Sequence, residues 1–248
     1  MVRAMNYGRL GNVYWQVSVA IAYALEHGLE FTVQDHTTSE YWNPLYLQHL
    51  VNKNWNPSLE TVVISEPHFH YAPIPWDESY RGKNIVLNGY WQSFLYVRDH
   101  LKEIVELFNH PWECRPMVSL HARFGDYRTI IGKHILVDAQ YIQSAISLIK
   151  EKTGIDRVKV FSDEISYFRD NFGSLYDFEY STNTDIVKDL EEISCCAHNI
   201  NSSSTFSLWA ALLNRNPDKV VVTQRQWFQP GWDGADTSTI LPPEWIKL

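Results

Sequence analysis

Met117-Val118-Ser119-Leu120-His121-Ala122-Arg123-Phe124-Gly125-Asp126-Tyr127 decides how the rest of the chain is read. The first six residues are a short, mainly apolar run that breaks abruptly into charge and glycine, the pattern of a buried strand. In open α/β sheets, polar residues at the C-terminal ends of strands face the ligand. The pattern continues downstream. Ile142, Ala145, Ile146 and Ile149 form one helical face closed by Gly154, and residues 157–161 read as the next strand. Ser162 is placed to cap a helix reaching Phe172, and residues 185–197 carry Ile186, Leu190, Ile193 and Ala197 on one face. Residues 198–201 and 219–223 complete the series. Strands alternating with helices predict parallel sheets covered on both faces.

The first half starts the same way, with a strand over 2–6, a glycine turn and a helix over 13–26 ended by Gly28. Residues 29–33, 61–64 and 85–87 read as short strands and 94–108 as an amphipathic helix. The three prolines within residues 66–82 mark a surface excursion. A division near residues 111–116 predicts an N-terminal Rossmann-like half (1–112), a C-terminal Rossmann-like half (113–228) and a tail (229–248) packing back on the body. The expected fold class is α/β, two such halves with parallel sheets facing a central cleft.

Composition narrows the function. The chain has 248 residues, enough to bury a sizeable core. Its 29 acidic against 21 basic side chains give a net charge of -8, which repels a phosphate backbone and argues against nucleic-acid binding. Three cysteines, two of them adjacent at Cys195 and Cys196, do not form a disulfide framework, so a reducing, cytoplasmic compartment is expected. No apolar run approaches a membrane span. Ten Trp and fourteen Tyr suit sugar-facing platforms, although cores use the same residues.

Three stretches carry candidate chemistry. Gly8-Arg9-Leu10-Gly11-Asn12 places two glycines before a helix whose N–H groups favour an anion, although a tight βα turn needs the same glycines. At the end of the central strand, Arg123 offers a planar fork for phosphate oxygens, and Asp126 accepts a proton or a sugar hydroxyl. The structural alternative is an Arg–Asp ion pair that holds the loop. A histidine such as His121 is more often a satisfied structural residue than a catalyst. The run from His198 through Asn201, Ser202, Ser203, Ser204 and Thr205 brings hydroxyls to a helix start, where they cap it or bind phosphate. Asp-x-Asp is absent from the sequence, as are zinc spacings, Walker A, G-x-G-x-x-G and G-x-S-x-G. This disfavours metal-dependent transferase, hydrolase, NTPase and dehydrogenase readings.

Taken in order, these segments resemble the α-1,2-fucosyltransferases of glycosyltransferase family eleven. Gly8 to Asn12 is similar to the family's G-x-L-G-N, and Gly89-Tyr90-Trp91-Gln92-Ser93 to its G-Y-[FW]-Q-S. His121 to Tyr127 is similar to H-x-R-R-G-D-Y, and Phe161-Ser162-Asp163-Glu164 to F-S-D-D. His198 to Ala210 is similar to H-N-I-x-x-S-S-F-S-W-W-G, with Trp227-Phe228 and the closing Leu241 to Ile246 matching its last blocks. The resemblance implies a GT-B fold and inverting transfer of L-fucose from GDP-β-L-fucose to a glycan hydroxyl, α-1,2 to a galactose-like or other hexose, without a metal or other cofactor. It assigns Arg123, Asp126 and His121 to catalysis. Donor contacts fall to Gly8, Arg9, Gly11, Asn12, Arg123, Asp163, Asn201, Ser203, Ser204 and Thr205. Tyr90, Trp91 and Gln92 are candidates for the acceptor subsite. Phe124 departs from the pattern, standing where the family has a second arginine, with Arg9 or Arg128 as replacements for the lost charge. That departure leaves open transfer of another GDP-sugar, such as rhamnose or mannose, or a non-catalytic nucleotide- or glycan-binding relative.

Overall fold

The computed structural model describes residues 1–35, 47–130, 133–232 and 236–248. The chain divides into two compact units, one of Met1–His110 with Ala235–Pro242 and one of Pro111–Gly234 with Pro243–Leu248. Each is built on a parallel sheet, so the α/β class and the two parallel-sheet halves expected from the sequence are both present.

In the first unit, β1 (Val2–Ala4), α1 (Leu10–Glu26), β2 (Thr61–Ser65) and β3 (Asn84–Asn88) follow in order, and β3 lies between β1 and β2. Val2 and Val62 both register with Ile85. Helix α1 is apolar nearly all round, with Trp15, Val19, Ile21 and Ala24 almost fully buried, as a helix enclosed by its own unit must be. Its buried Gln16 donates to the carbonyl of Tyr7 (3.1 Å) and accepts the Tyr7 N–H (3.0 Å), which ties down the turn after β1. Residues 29–33 make only single bridges, Val2 to Phe31 and Val33 to Val51. The long helix predicted over 94–108 is broken. Two 3-10 turns, Phe94–Tyr96 and Arg98–His100, precede α2 (Leu101–Leu107). The Phe94 N–H is taken by the Thr239 carbonyl (2.8 Å) and Ser93 Oγ accepts the N–H of Leu95, while the N–H groups of Val97 and His100 reach back only three residues, to the carbonyls of Phe94 and Val97, so the segment opens in 3-10 turns.

The second unit runs β4 (Arg115–Ala122), α3 (Gly125–Thr129), α4 (Ala139–Thr153), β5 (Val158–Ser162), α5 (Ile165–Phe172), β6 (Phe178–Tyr180), α6 (Ile186–Cys195), β7 (Cys196–Asn201), α7 (Thr205–Leu213), β8 (Val221–Thr223) and β9 (Ile246–Lys247). The strand order is β6-β5-β4-β7-β8-β9, all parallel. Strand β4 is central and buried on both faces from Met117 onward, which explains its unbroken apolar run. Val118, Leu120 and Ala122 share a core with Ile142, Ala145, Ile146 and Ile149 of α4. Asp138 caps α4 by accepting the Tyr141 N–H (2.7 Å), and Gly154 ends it in the left-handed conformation, φ 74°. Helix α5 starts later than predicted, because Ser162 Oγ accepts the Glu164 N–H in a local turn. That turn leaves Asp163 outside the helix.

Candidate functional site

Arg123 leaves the C-terminal end of β4 and is clamped by two carboxylates. Its Nη1 lies 2.8 Å from Asp163 Oδ2, and its Nη2 binds Asp126 Oδ1. Asp163 also accepts the Phe124 N–H (2.9 Å), so one carboxylate fixes both the backbone and the guanidinium of the loop. A Cβ on Gly125 would sit 2.3 Å from Asp163 Oδ2, so any side chain there displaces that carboxylate. The guanidinium is 13% exposed against 38% for Asp126, so Asp126 is the more accessible of its partners. A guanidinium carries five N–H donors, and two ion pairs do not exhaust them.

The Arg123 guanidinium also sits over the Tyr127 ring (5.5 Å), and that ring stacks on His134 at 3.6 Å. Burial and the nearby Lys133 ammonium push His134 down to about 4, so it is neutral beside Arg123. His121 is buried, and its Nδ1 lies 2.9 Å from Ser202 Oγ. Burial and then the Arg123 charge push it down to about 3. A proton relay near neutral pH is therefore poorly served by His121, whose observed role is to join β4 to the loop after β7, where the Ser202 N–H also donates to its carbonyl (3.1 Å).

That loop leads into α7. Ser204 is the N-cap, but its side chain makes no capping bond. Ser203 is fully buried and turned inward, donating to the Gln226 carbonyl (2.7 Å) and holding Gln224 through its N–H (2.9 Å). Asn201 is buried, and both polar atoms of its amide lack a protein partner, as does Oγ1 of buried Thr223, its register neighbour on β8. Unsatisfied polar groups of this kind cost about 1–3 kcal/mol each until a water or a ligand completes them.

Gly8, Arg9, Gly11 and Asn12 belong to the first unit. Gly8 is left-handed, φ 81°, and a Cβ there would lie 2.6 Å from Asn12 Nδ2. Asn12 in turn accepts from Gln92 Nε2 (2.9 Å), linking two separate sequence motifs. Arg9 is exposed at the N-cap of α1. Trp91 is 1% exposed, so its ring belongs to the core, whereas Tyr90 beside it is 39% exposed. An open depression of about 470 Å³ lined by Cys114, His198 and Asp218 lies at the opposite, N-terminal ends of the second unit's strands. Among the described residues, no three His, Cys, Asp or Glu side chains gather as a metal site, and no helix is long and apolar enough to cross a membrane.

Residues 14–248 match the model of Glycosyl transferase family 11. The chain belongs to that family. The family 11 chain is 32% identical over 136 residues to the O-antigen biosynthesis glycosyltransferase WbnK of Escherichia coli, a match covering 52% of this chain and 44% of that protein. It is 25% identical to Galactoside alpha-(1,2)-fucosyltransferase 2 of Hylobates lar over 281 aligned positions, covering 94% of this chain and 79% of the relative. Among solved structures, NodZ alpha-1,6-fucosyltransferase co-crystallized with GDP aligns at a TM-score of 0.44 and 13% identity, over 85% of this chain and 90% of that one. The match to the family model over residues 14–248 makes the chain a glycosyltransferase. Its departure at Phe124 has a packing explanation. The Phe124 ring is 1% exposed and meets Tyr167 edge-on at 4.8 Å and Phe172 in a stack at 6.1 Å, so it anchors α5 rather than facing solvent. Arg128, a candidate for the missing charge, pairs with Glu164 and lies over the Tyr167 ring at 4.0 Å. The motifs gave no notice of His134, Thr223, Gln224, Tyr7 or Glu66. Each is a single polar or aromatic residue whose role exists only through its neighbours.

Proposed function

We propose that this protein transfers L-fucose from GDP-β-L-fucose to a hexose hydroxyl of a glycan, with inversion at the anomeric carbon and without a metal ion. The observation that carries this reading is Arg123, held by Asp126 and Asp163 at the end of β4 and tied through His121 to the loop that starts α7. Two carboxylates on one guanidinium leave the cluster with an excess negative charge, so an arriving diphosphate must replace one of them. Asp126, the more exposed partner, is the one to yield. The guanidinium then meets phosphate oxygens through planar paired N–H donors, and the N-terminus of α7, whose N-cap Ser204 makes no side-chain capping bond, favours an anion. The orphaned Asn201 amide and Thr223 hydroxyl supply polar partners at the same sheet edge.

In the reaction, the acceptor oxygen bonds to C1 as the bond from C1 to the phosphate oxygen breaks, and its electron pair leaves with GDP. Charge grows on the diphosphate, where Arg123 is strongest. The acceptor's proton passes to a carboxylate, for which Asp126, released from Arg123, is the candidate. Relatives named as α-(1,2)-fucosyltransferases support fucose as the sugar. Release of GDP from GDP-fucose, GDP-mannose and GDP-rhamnose, with and without chelator, tests the reading. Turnover is expected with GDP-fucose, unaffected by chelator, and to fall by about 10²- to 10³-fold in Arg123→Ala. Equal turnover in Arg123→Ala, or loss of turnover with chelator, would sink it.

A further inference from the structure

The three parallel strands of the first unit end on the same sheet edge, and each delivers one residue there. Tyr7 follows β1, Glu66 follows β2 and Tyr90 follows β3. Each is fixed in a way that a solvated loop does not need. Both backbone groups of Tyr7 are bonded to buried Gln16. The Glu66 carboxylate accepts the Tyr90 N–H (2.7 Å) and the Trp91 N–H (3.0 Å), and its own N–H donates to the Asn88 carbonyl (2.8 Å). Trp91 sits in the left-handed region, φ 53°, a conformation costing a non-glycine residue about 1–3 kcal/mol. Its neighbour Gly89 admits no side chain, because a Cβ would lie 2.3 Å from that of Glu66. The outcome of this construction is the Tyr90 ring, 39% exposed and set edge-on against Tyr7 at 4.9 Å.

The carboxylate holds the loop through both oxygens, Oε2 taking the Tyr90 N–H and Oε1 the Trp91 N–H, and each oxygen keeps a lone pair to spare. Glu66 is partly buried, and burial raises its pKa against the lowering effect of the two amide bonds and of His68. The other ionisable groups facing it are the phenols of Tyr7 and Tyr96, both pushed up to about 12 mainly by burial, and Tyr90. Among the described residues no Lys or Arg pairs with it. A carboxylate has about four lone-pair sites, and the two amides occupy two. Neutral hydroxyl donors suit the remainder, and an exposed aromatic ring suits the apolar C–H side of a pyranose.

We propose that Glu66, Tyr7 and Tyr90 form a subsite for a terminal hexopyranose of the acceptor, with Glu66 accepting from neighbouring sugar hydroxyls and Tyr90 packing on the ring. This assignment rests on the reading of the protein as a fucosyltransferase and deepens its acceptor side, moving the aromatic contact from Trp91 to Tyr90.

Tyr90→Ala and Tyr7→Phe keep the loop's anchors, which are backbone groups at both residues, whereas Glu66→Gln removes the charge and one of the two amide acceptors, so Tyr90→Ala is the variant that tests the ring without disturbing the loop. Acceptor KM, GDP binding by calorimetry and hexose binding by saturation-transfer NMR are measured on the full chain, with thermal melting to confirm folding. Tyr90→Ala is expected to raise acceptor KM about tenfold, the equivalent of one ring contact. Glu66→Gln is expected to abolish hexose binding, with GDP affinity unchanged in both. Acceptor KM within twofold of wild type in folded Tyr90→Ala and Glu66→Gln would overturn the subsite, as would a parallel loss of GDP affinity. Hexose binding that these variants remove in a protein unable to turn over GDP-fucose would uphold the subsite and defeat the fucosyltransferase reading instead.

Discussion

Replacing Gly125 with alanine tests whether Asp163 organises the Arg123 loop. The added Cβ would stand 2.3 Å from Asp163 Oδ2, and ordinary contact begins near 3.4 Å. The carboxylate must therefore retreat by about 1 Å, which stretches its 2.8 Å pair with Arg123 and its 2.9 Å bond from the Phe124 N–H beyond useful range. Hydrogen bonds to charged groups contribute about 1.5–3 kcal/mol each, and partial relaxation leaves a net cost of about 2 kcal/mol. For a chain of this length that lowers Tm by about 4–8 °C. In an Asp163→Ala background the obstructing oxygen is gone, and alanine in α3 is better than glycine by up to about 1 kcal/mol. Gly125→Ala is therefore expected to destabilise the wild type and to be neutral or stabilising beside Asp163→Ala. A double-mutant cycle in urea, with GDP binding as a second readout, measures the coupling. The same cost in both backgrounds would refute the argument, because the steric path through Asp163 would then carry nothing.

Three further outcomes follow from burial and charge. Phe124→Arg, which restores the family's residue, should destabilise by more than about 3 kcal/mol by placing a cation among Tyr167, Phe168 and Phe172, read as a lost or sharply lowered melting transition. Trp91→Ala should cost about 3–5 kcal/mol in urea unfolding, since the ring is core. His121, pushed down to about 3 in the folded state from 6.5, contributes stability that is complete above pH 6.5 and lost as pH falls toward 3. The loss approaches about 1.4 kcal/mol per pH unit, so His121→Asn should flatten the decline in urea midpoint between pH 6 and 5.

Much of the fold was legible because its signals are local. The apolar run of β4, the 3.6-residue face of α4 and the glycine at position 154 each specify an element without help from distant residues. The helix over 94–108 was misread because apolar spacing does not distinguish an α-turn from the three-residue bonds that Val97 makes to Phe94 and His100 makes to Val97, and because the Thr239 carbonyl that positions Phe94 lies 145 positions beyond it. The same holds in the site. Arg123 and Asp126 sit in one motif and were readable together, whereas the clamp on Arg123 needs Asp163, which the resemblance gave as a donor contact in a separate motif and the structure places on the guanidinium. Ser203 was read as a ligand group from its type and position, yet its hydroxyl is spent on Gln226, a residue no local pattern connects to it.

Phe124 illustrates the physical reason that one motif residue can change while its neighbours persist. On β4 and just beyond it, successive side chains point to opposite faces, so Arg123 and Phe124 answer to different surroundings. Arg123 answers to two carboxylates, and Phe124 to the aromatic cluster of Tyr167, Phe168 and Phe172 on α5. The part of position 124 that bears on Arg123 is its backbone N–H, which holds Asp163, and any residue but proline keeps that bond. A phenylalanine there exchanges a cation for a tighter seat of α5 while the Arg123 clamp survives. On the proposed donor reading, Phe124 leaves one cation fewer for a diphosphate, so Arg123→Ala is expected to weaken GDP binding, and GDP affinity equal to wild type in that variant would count against the reading.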